Sequence, residues 1–129
     1  MATFNSFEEV IAWQKARELC KLIHVYTLKD KFSKDFKLVS QIKSSSGSSM
    51  DNISEGFERG GNKEFIQFLY ISKGSAGEVR SQLYRALDNG YISKEEFNKA
   101  FNLAAEVGKL DAGLINHLKS SKIKGDKYK

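Results

Sequence analysis

The amino-acid sequence predicts an all-α protein, an antiparallel up-down-up-down four-helix bundle. Apolar residues recur at helical spacing in four long stretches of the chain. Proline, which interrupts helices, is absent from all 129 residues. Short polar or glycine-rich connections separate the four stretches, and short connections favour antiparallel neighbours. Together these observations predict one domain, residues 1–118, followed by a basic tail, residues 119–129.

The first helix is predicted over residues 6–28. Ser6 and Glu9 have the spacing of a capping box, which would start a helix at this point. One apolar stripe follows at helical spacing, formed by Phe7, Ile11, Leu19, Ile23 and Tyr26. Val10, Trp13 and Val25 lie off this stripe. They predict that the helix contacts more than its own bundle.

The second helix is predicted over residues 35–58 and the third over residues 62–88. The serine-rich stretch 44–49 resembles a linker in composition, but the apolar period continues through it, so we assign it to the second helix. Its small side chains predict a flat face that another helix can approach closely. Gly56, Gly60 and Gly61 are predicted to end the second helix, Asn62 is the predicted N-cap of the third, and Gly90 ends the third.

The fourth helix is predicted over residues 93–118, opened by a second capping box at Ser93 and Glu96. One of its faces carries Phe97, Phe101, Ala104, Gly108, Asp111, Ile115 and Leu118. From Lys119 onward the apolar pattern is replaced by lysine and polar residues, so we expect the tail to be disordered.

Composition and termini predict a cytoplasmic protein that does not cross a membrane. Hydrophobic residues make up 40% of the chain and charged residues 29%, as in soluble globular proteins. No apolar run approaches the roughly 20 residues that span a bilayer, and the first residues lack the pattern of a signal peptide. The single cysteine, Cys20, cannot form an internal disulfide.

The net charge of +5 is concentrated in two blocks. Residues 119–129 carry a net +4 and residues 29–43 a net +3, which leaves the rest of the chain at −2. Basic blocks are candidate phosphate contacts, although surface lysines also serve solubility alone. The predicted nucleic-acid-binding residues are Lys29, Lys31, Lys34, Lys37, Lys43, Lys119, Lys122, Lys124 and Lys127. A helix of about 25 residues is about 38 Å long, so the two blocks are expected at opposite ends of the bundle.

No catalytic, metal or cofactor site is predicted. Cys20 and His24 share a helix face, but a zinc site needs further ligands that the sequence does not supply. Arg17 and His24, seven residues apart, are similar to the motif of HEPN-type ribonucleases, which lies late in those domains rather than on the first helix. A further group of polar residues is predicted to form a structural hydrogen-bond network rather than a catalytic cleft: Asn52, Glu55, Glu64, Ser75 and Glu78.

Five segments carry a family resemblance. They are Trp13-Gln14-Lys15-Ala16, Asn52-Ile53-Ser54-Glu55-Gly56, Glu64-Phe65-Ile66-Gln67-Phe68-Leu69, Gly74-Ser75-Ala76-Gly77-Glu78 and Gly90-Tyr91-Ile92. In combination, over residues 7–118, the chain resembles the bacterial four-helix-bundle family of large-subunit ribosomal RNA intervening-sequence proteins. The resemblance implies protomers that assemble into a homopentameric ring. It also implies a gene located within an insertion in a ribosomal RNA gene.

The resemblance and the basic blocks leave two functions open. The first is a non-enzymatic, homo-oligomeric scaffold that binds RNA or DNA. The second is a protein–protein adaptor that recruits an enzyme such as a reverse transcriptase, because a related branch of the family comprises the accessory proteins of diversity-generating retroelements.

Overall fold

A computed structural model describes residues 4–125, and over that range its regular secondary structure is entirely helical. The elements are a 3-10 turn at Phe7–Glu9 and five α-helices: α1 Ile11–Thr27, α2 Asp30–Lys34, α3 Phe36–Glu58, α4 Asn62–Asp88 and α5 Lys94–Gly125. The four long helices pack in a closed order, α1 on α3, α3 on α4, α4 on α5, and α5 on α1. The predicted antiparallel four-helix bundle is therefore confirmed. No helix within the described range is long and apolar enough to cross a membrane.

The first helix begins later than predicted. Ser6 has an extended backbone and makes no capping hydrogen bond with its side chain, while the Glu9 carboxylate accepts from the Asn5 N–H at 3.1 Å. Val10 is also extended, and it separates the 3-10 turn from α1. The side chain of Val10 is almost fully buried in the core. The predicted capping box at Ser6 is wrong because burying Val10 fixes a non-helical backbone at this point.

The predicted second stripe of α1 is largely inside the bundle. Val10 and Trp13 are both buried in the core, and Trp13 packs edge-on against Phe7 at 5.1 Å between ring centroids. Only Val25 of that stripe is exposed, at 58%, together with Leu28 at 66% just beyond the helix. Exposed apolar surface therefore remains at both ends of α1, with Val25 and Leu28 at one end and Ile11, 50% exposed, at the other.

The serine-rich stretch lies inside α3, as predicted. Ser45, Ser46 and Ser49 are buried. The hydroxyl of Ser45 donates to the Gln41 carbonyl at 3.0 Å, and that of Ser46 donates to the Lys43 carbonyl, which satisfies these polar groups within the helix. The small side chains therefore allow close helix packing without unpaired hydroxyls.

The prediction that Gly56 helps to end the second helix is wrong, because Gly56 lies inside α3 at a close approach to α4. A Cβ atom at this position would lie 2.6 Å from the Cβ of Phe68, far inside van der Waals contact. Glycine is thus required here by packing, while Gly60, at φ +85°, is required by the backbone of the turn that follows. The predicted N-cap Asn62 is wrong: Gly61 is the N-cap and Asn62 is the first helical residue, with no side-chain capping bond.

The connection between α4 and α5 agrees with the sequence prediction. Gly90 has φ +74° and ends α4. The hydroxyl of Ser93 accepts from the Glu96 N–H at 3.1 Å, and the Glu96 carboxylate accepts from the Ser93 N–H at 2.8 Å. The predicted second capping box is therefore confirmed.

Two further boundaries differ from the prediction. The connection between α1 and α3 contains the short helix α2, because Phe32 is fully buried there and stacks on Tyr91 at 5.3 Å between centroids. Helix α5 continues past the predicted end at Leu118 to Gly125, so the disorder predicted from Lys119 is wrong as far as Gly125. Residues 126–129 of the predicted tail lie outside the described residues.

Candidate nucleic-acid interface

The first predicted lysine, Lys29, is engaged within the molecule. Its ammonium group donates to both carboxylate oxygens of Glu96, at 2.7 and 2.8 Å. This bond, with the N–H of Ser93, holds the pKa of Glu96 below its usual range. Lys29 therefore joins the end of α1 to the start of α5, and its charge is neutralised locally.

The other predicted lysines of this end differ in their surroundings. We call residues 28–37 the tip of the bundle. Lys34 lies 3.5 Å from Asp30, with both side chains highly exposed, and such pairs contribute little. Lys31 and Lys37 are exposed and form no ion pair with any described residue. Beyond the tip, the ammonium of Lys43 lies 3.2 Å from Nδ1 of His24.

The second predicted block lies at the other end of the bundle, as expected from helix length. The ammonium of Lys119 donates to the Tyr70 hydroxyl at 2.9 Å and lies 5.3 Å from the centroid of that ring. The backbones of Lys122 and Lys124 belong to α5, but their side chains are outside the described part of the structure. Lys127 lies outside it altogether.

A third basic surface was not predicted from the sequence. It is a groove between α4 and α5, which we call the α4–α5 groove, lined by Lys73, Ala76, Gly77, Arg80, Ala105, Gly108, Lys109 and Ala112. Three of these residues are cationic and the rest are small. Among the described residues, no Asp or Glu lines the groove. Its three cations, all exposed, form no ion pair within residues 4–125.

Helix geometry aligns the groove cations. Lys73 and Arg80 are seven residues apart on α4, hence on one face and about 10 Å apart along the axis. The Arg80 guanidinium lies over the Phe101 ring of α5, 5.7 Å from the ring centroid. This cation–π contact helps to hold the position of the Arg80 side chain. Lys109 completes the set from α5. The sequence signal that could have indicated the groove is the seven-residue spacing of Lys73 and Arg80 beside the small residues of α4.

The predicted polar network is divided by the structure. Asn52 donates to the carbonyl and hydroxyl of Ser48, at 2.8 and 3.0 Å, and the Ser48 hydroxyl is 2.9 Å from that of Ser75. Asn52 and Ser75 therefore belong to one network that joins α3 to α4.

The three glutamates of the predicted network form no hydrogen bond with Asn52, Ser48 or Ser75, although Glu78 lines a depression that Ser48 also lines. Glu55 and Glu64 are exposed and both pair with Arg59, at 2.9 and 3.5 Å, near the turn between α3 and α4. Glu78 is exposed and lines an open polar depression with Gln41 and Gln82. These carboxylates do not share one site.

A second polar network, centred on Asp111, was missed. Asp111 of α5 is fully buried, and one of its carboxylate oxygens accepts from the Ser72 hydroxyl at 2.7 Å. The Ser72 hydroxyl is in turn 3.0 Å from that of Ser49, so the network crosses three helices. The other carboxylate oxygen has no partner among the described residues. Burial raises the pKa of Asp111 to about 7, although the Ser72 bond and the charge of Lys73 act to lower it.

The residues of the alternative chemistries considered from the sequence contact other partners in the described structure. The Arg17 guanidinium lies 5.9 Å from the Trp13 ring centroid, whereas His24 faces Lys43. The Cys20 thiol donates to the Ser46 carbonyl at 3.1 Å, and burial raises its pKa. Residues 4–125 contain no cluster of three or more His, Cys, Asp or Glu side chains that could hold a metal ion.

The fold defines a helical-bundle protein, and cationic side chains line its α4–α5 groove. The chain belongs to the family of 23S rRNA-intervening sequence proteins, whose family model matches residues 8–113. A crystal structure of a protein of unknown function from the S23 ribosomal protein family of Bacteroides thetaiotaomicron is similar, with a TM-score of 0.75 and 25% identity. The similarity covers 82% of this chain and 96% of that one. No curated protein matches the chain.

Proposed function

We propose that the protein is a non-enzymatic, homo-oligomeric scaffold that binds RNA or DNA through the α4–α5 groove, without a cofactor, in the cytoplasm. One observation carries the proposal: Lys73, Arg80 and Lys109 converge on a groove that no described carboxylate lines. Cations that lack an internal partner are available to neutralise phosphates. The family's association with ribosomal RNA genes favours RNA as the ligand.

The shape of the groove supports a nucleic-acid backbone as its ligand. The small residues between the cations, such as Gly77 and Gly108, leave room for a strand to approach the helix surface. Along the axis of a duplex, each strand has one phosphate per 3.4 Å. The distance of about 10 Å from Lys73 to Arg80 along α4 therefore corresponds to about three phosphates of one strand. One groove alone would bind weakly and in a salt-dependent manner.

Self-association would multiply this weak contact. A homo-oligomer, five-membered as the family resemblance implies, would repeat the groove around its axis, and linked weak sites gain affinity through effective concentration. The exposed Lys31, Lys34 and Lys37 at the tip, and Lys119 with the basic tail beyond it, would then provide secondary contacts.

The test is quantitative binding of a structured RNA and a duplex DNA across a salt series. We expect the triple variant K73Q/R80Q/K109Q to bind at least about tenfold more weakly at low salt. The slope of log affinity against log salt should become shallower by about two to three units, since each phosphate contributes about 0.9. The matched control K21Q/K63Q/K99Q removes the same charge from three exposed lysines outside the groove. Equal weakening in both triples, or no binding by the natural protein, would contradict the proposal.

A second function, the adaptor, is favoured by a different observation. Val25 and Leu28 are exposed large apolar residues at one end of α1, and such residues at a surface often mark protein contacts. The adaptor hypothesis predicts that V25E/L28E abolishes near-stoichiometric association with a host enzyme, such as a reverse transcriptase, while nucleic-acid binding by the purified protein is unchanged. If no protein associates at that level in a pull-down, the adaptor function is excluded.

A further inference from the structure

Phe36 is an exposed aromatic residue that is not part of the hydrophobic core. It is the first residue of α3 and is 80% exposed, the most exposed of the large apolar side chains in the described range. Its neighbour Phe32 is the opposite case, fully buried and stacked on Tyr91. Phe36 does not belong to the core cluster. Packing within the bundle therefore does not explain why an aromatic residue occupies this exposed position.

The backbone that carries Phe36 is fixed. Asp35, the N-cap of α3, accepts from the Leu38 N–H at 3.1 Å and, through its other oxygen, from the Tyr91 hydroxyl at 2.8 Å. These two bonds hold the pKa of Asp35 below its usual range, so the carboxylate stays ionised and the cap stays formed. The ring of Phe36 is thus presented from a rigid helix start.

Three lysines lie close to Phe36 along the chain. Lys34 and Lys37 flank Phe36 within two residues, and Lys31 precedes it on α2; all three are exposed. Lys31 and Lys37 have no ion-pair partner among the described residues, and Lys34 has only a long contact with Asp30. An exposed aromatic ring among lysines complements a ligand that carries both a flat base and negative charge.

We propose that Phe36 is a stacking platform for an unpaired nucleobase, with Lys31, Lys34 and Lys37 contacting the phosphates on either side of that base. The proposal rests on the nucleic-acid-binding function and narrows its ligand class to strands with a single-stranded or looped segment. Away from the ends of a duplex both faces of each base are already stacked, so the interior of a duplex cannot use the platform without being distorted. Phosphate contacts in the α4–α5 groove do not impose this requirement.

The experiment compares two RNAs with the full-length protein: a hairpin with an unpaired loop containing 2-aminopurine, and a blunt duplex of the same stem. The natural protein should prefer the hairpin and change the fluorescence of the loop base. F36A should weaken hairpin binding about tenfold, because a base–aromatic stack is lost. Duplex binding should stay within about twofold of the natural protein, because phosphate contacts in the groove do not depend on base stacking. F36W should restore the preference. I71A, which truncates another exposed apolar residue on α4, is the matched control and should behave as the natural protein does.

Thermal unfolding and light scattering accompany each variant. We expect F36A to keep the unfolding midpoint and the molecular mass of the natural protein, because Phe36 is outside the core cluster. A loss of mass in F36A would show that a second copy of the chain covers Phe36, and the proposal would be overturned. A loop preference that persists in F36A, or binding to the duplex only, would also overturn it while leaving the groove function intact. Absence of binding to both RNAs would instead refute the nucleic-acid function itself.

Discussion

The tip and the α4–α5 groove both carry exposed lysines, but the fold gives them different neighbours. At the tip, Lys29 is paired with Glu96 at 2.7 Å and Lys34 lies near Asp30, so only Lys31 and Lys37 of its four lysines have no ion pair with a described residue. In the groove, Lys73, Arg80 and Lys109 lie among small residues with no carboxylate lining the surface. The number of lysines in a sequence block therefore does not measure the charge available to a ligand. The carboxylates that folding brings beside them decide it.

The largest expected effect concerns Asp111, a buried carboxylate of α5 whose pKa is shifted in the direction opposite to that of Glu96, the partner of Lys29. The pKa of Asp111, buried next to Ser72, is raised from 3.8 to about 7. The folded state therefore holds this proton more tightly than the unfolded state between those pH values. The stabilisation that this bound proton contributes is fully present below about pH 4. As the pH rises towards 7, the free energy of unfolding falls by up to about 1.4 kcal/mol per pH unit because of Asp111.

Urea unfolding at several pH values measures this effect, with D111N as the comparison. We expect the difference in unfolding free energy between D111N and the natural protein to shift in favour of D111N as pH rises from 5 to 7. All other groups titrate alike in both proteins, so the difference isolates Asp111. Parallel pH profiles in the two proteins would show that the buried carboxylate is not protonated in the folded state.

The next prediction concerns a substitution that adds a carboxylate to the groove, so that its cations, like Lys29 at the tip, have an acidic neighbour. A105E would place a carboxylate among Lys73, Arg80 and Lys109, since Ala105 lines the groove and is partly exposed. We expect RNA affinity to fall about tenfold at low salt, because the new charge pairs with the cations and repels phosphates. Fluorescence anisotropy with a labelled RNA measures the change.

A105Q is the matched control for this substitution, since glutamine has nearly the same size and no charge. It should retain most of the affinity. If A105Q weakens binding as much as A105E does, the groove acts through its shape and not through its charge.

The comparison also indicates what the sequence could and could not predict. Some signals that act over a few residues were confirmed, as with Gly90 at the end of α4 and the Ser93–Glu96 capping box. The capping box at Ser6 failed because burial of Val10 in the core overrode a local pattern. Helix α2 was missed because Phe32 is buried against Tyr91, which lies far along the chain.

The candidate site was harder to predict for the same reason. Lys109 belongs to a different helix from Lys73 and Arg80, and only helix packing brings the three together. Likewise, Asp111 lay on a predicted apolar face, but its partner Ser72 is 39 residues away. Periodicity identifies which face of a helix is buried, but it does not identify which residue on another helix that face meets.

The smallest expected effect is that of K29Q at the tip. The variant removes the partner of Glu96, whose pKa is lowered mainly by Lys29. We expect a loss of about 0.5 kcal/mol of stability above pH 5. The loss should vanish on acidification, since Glu96 becomes protonated there. RNA affinity should stay within about twofold, because Lys29 is already neutralised. A larger change in affinity than in stability would place Lys29 in the interface and weaken the contrast between tip and groove.

The most direct test of the groove as the binding surface is lysine footprinting of the natural protein. Brief acetylation with and without a structured RNA, followed by mass spectrometry, reports the accessibility of each lysine in one experiment. We predict that RNA protects Lys73 and Lys109, while Lys21, Lys63 and Lys99 stay as reactive as in the free protein. Unchanged reactivity of Lys73 and Lys109 under conditions in which the RNA is bound would contradict the account.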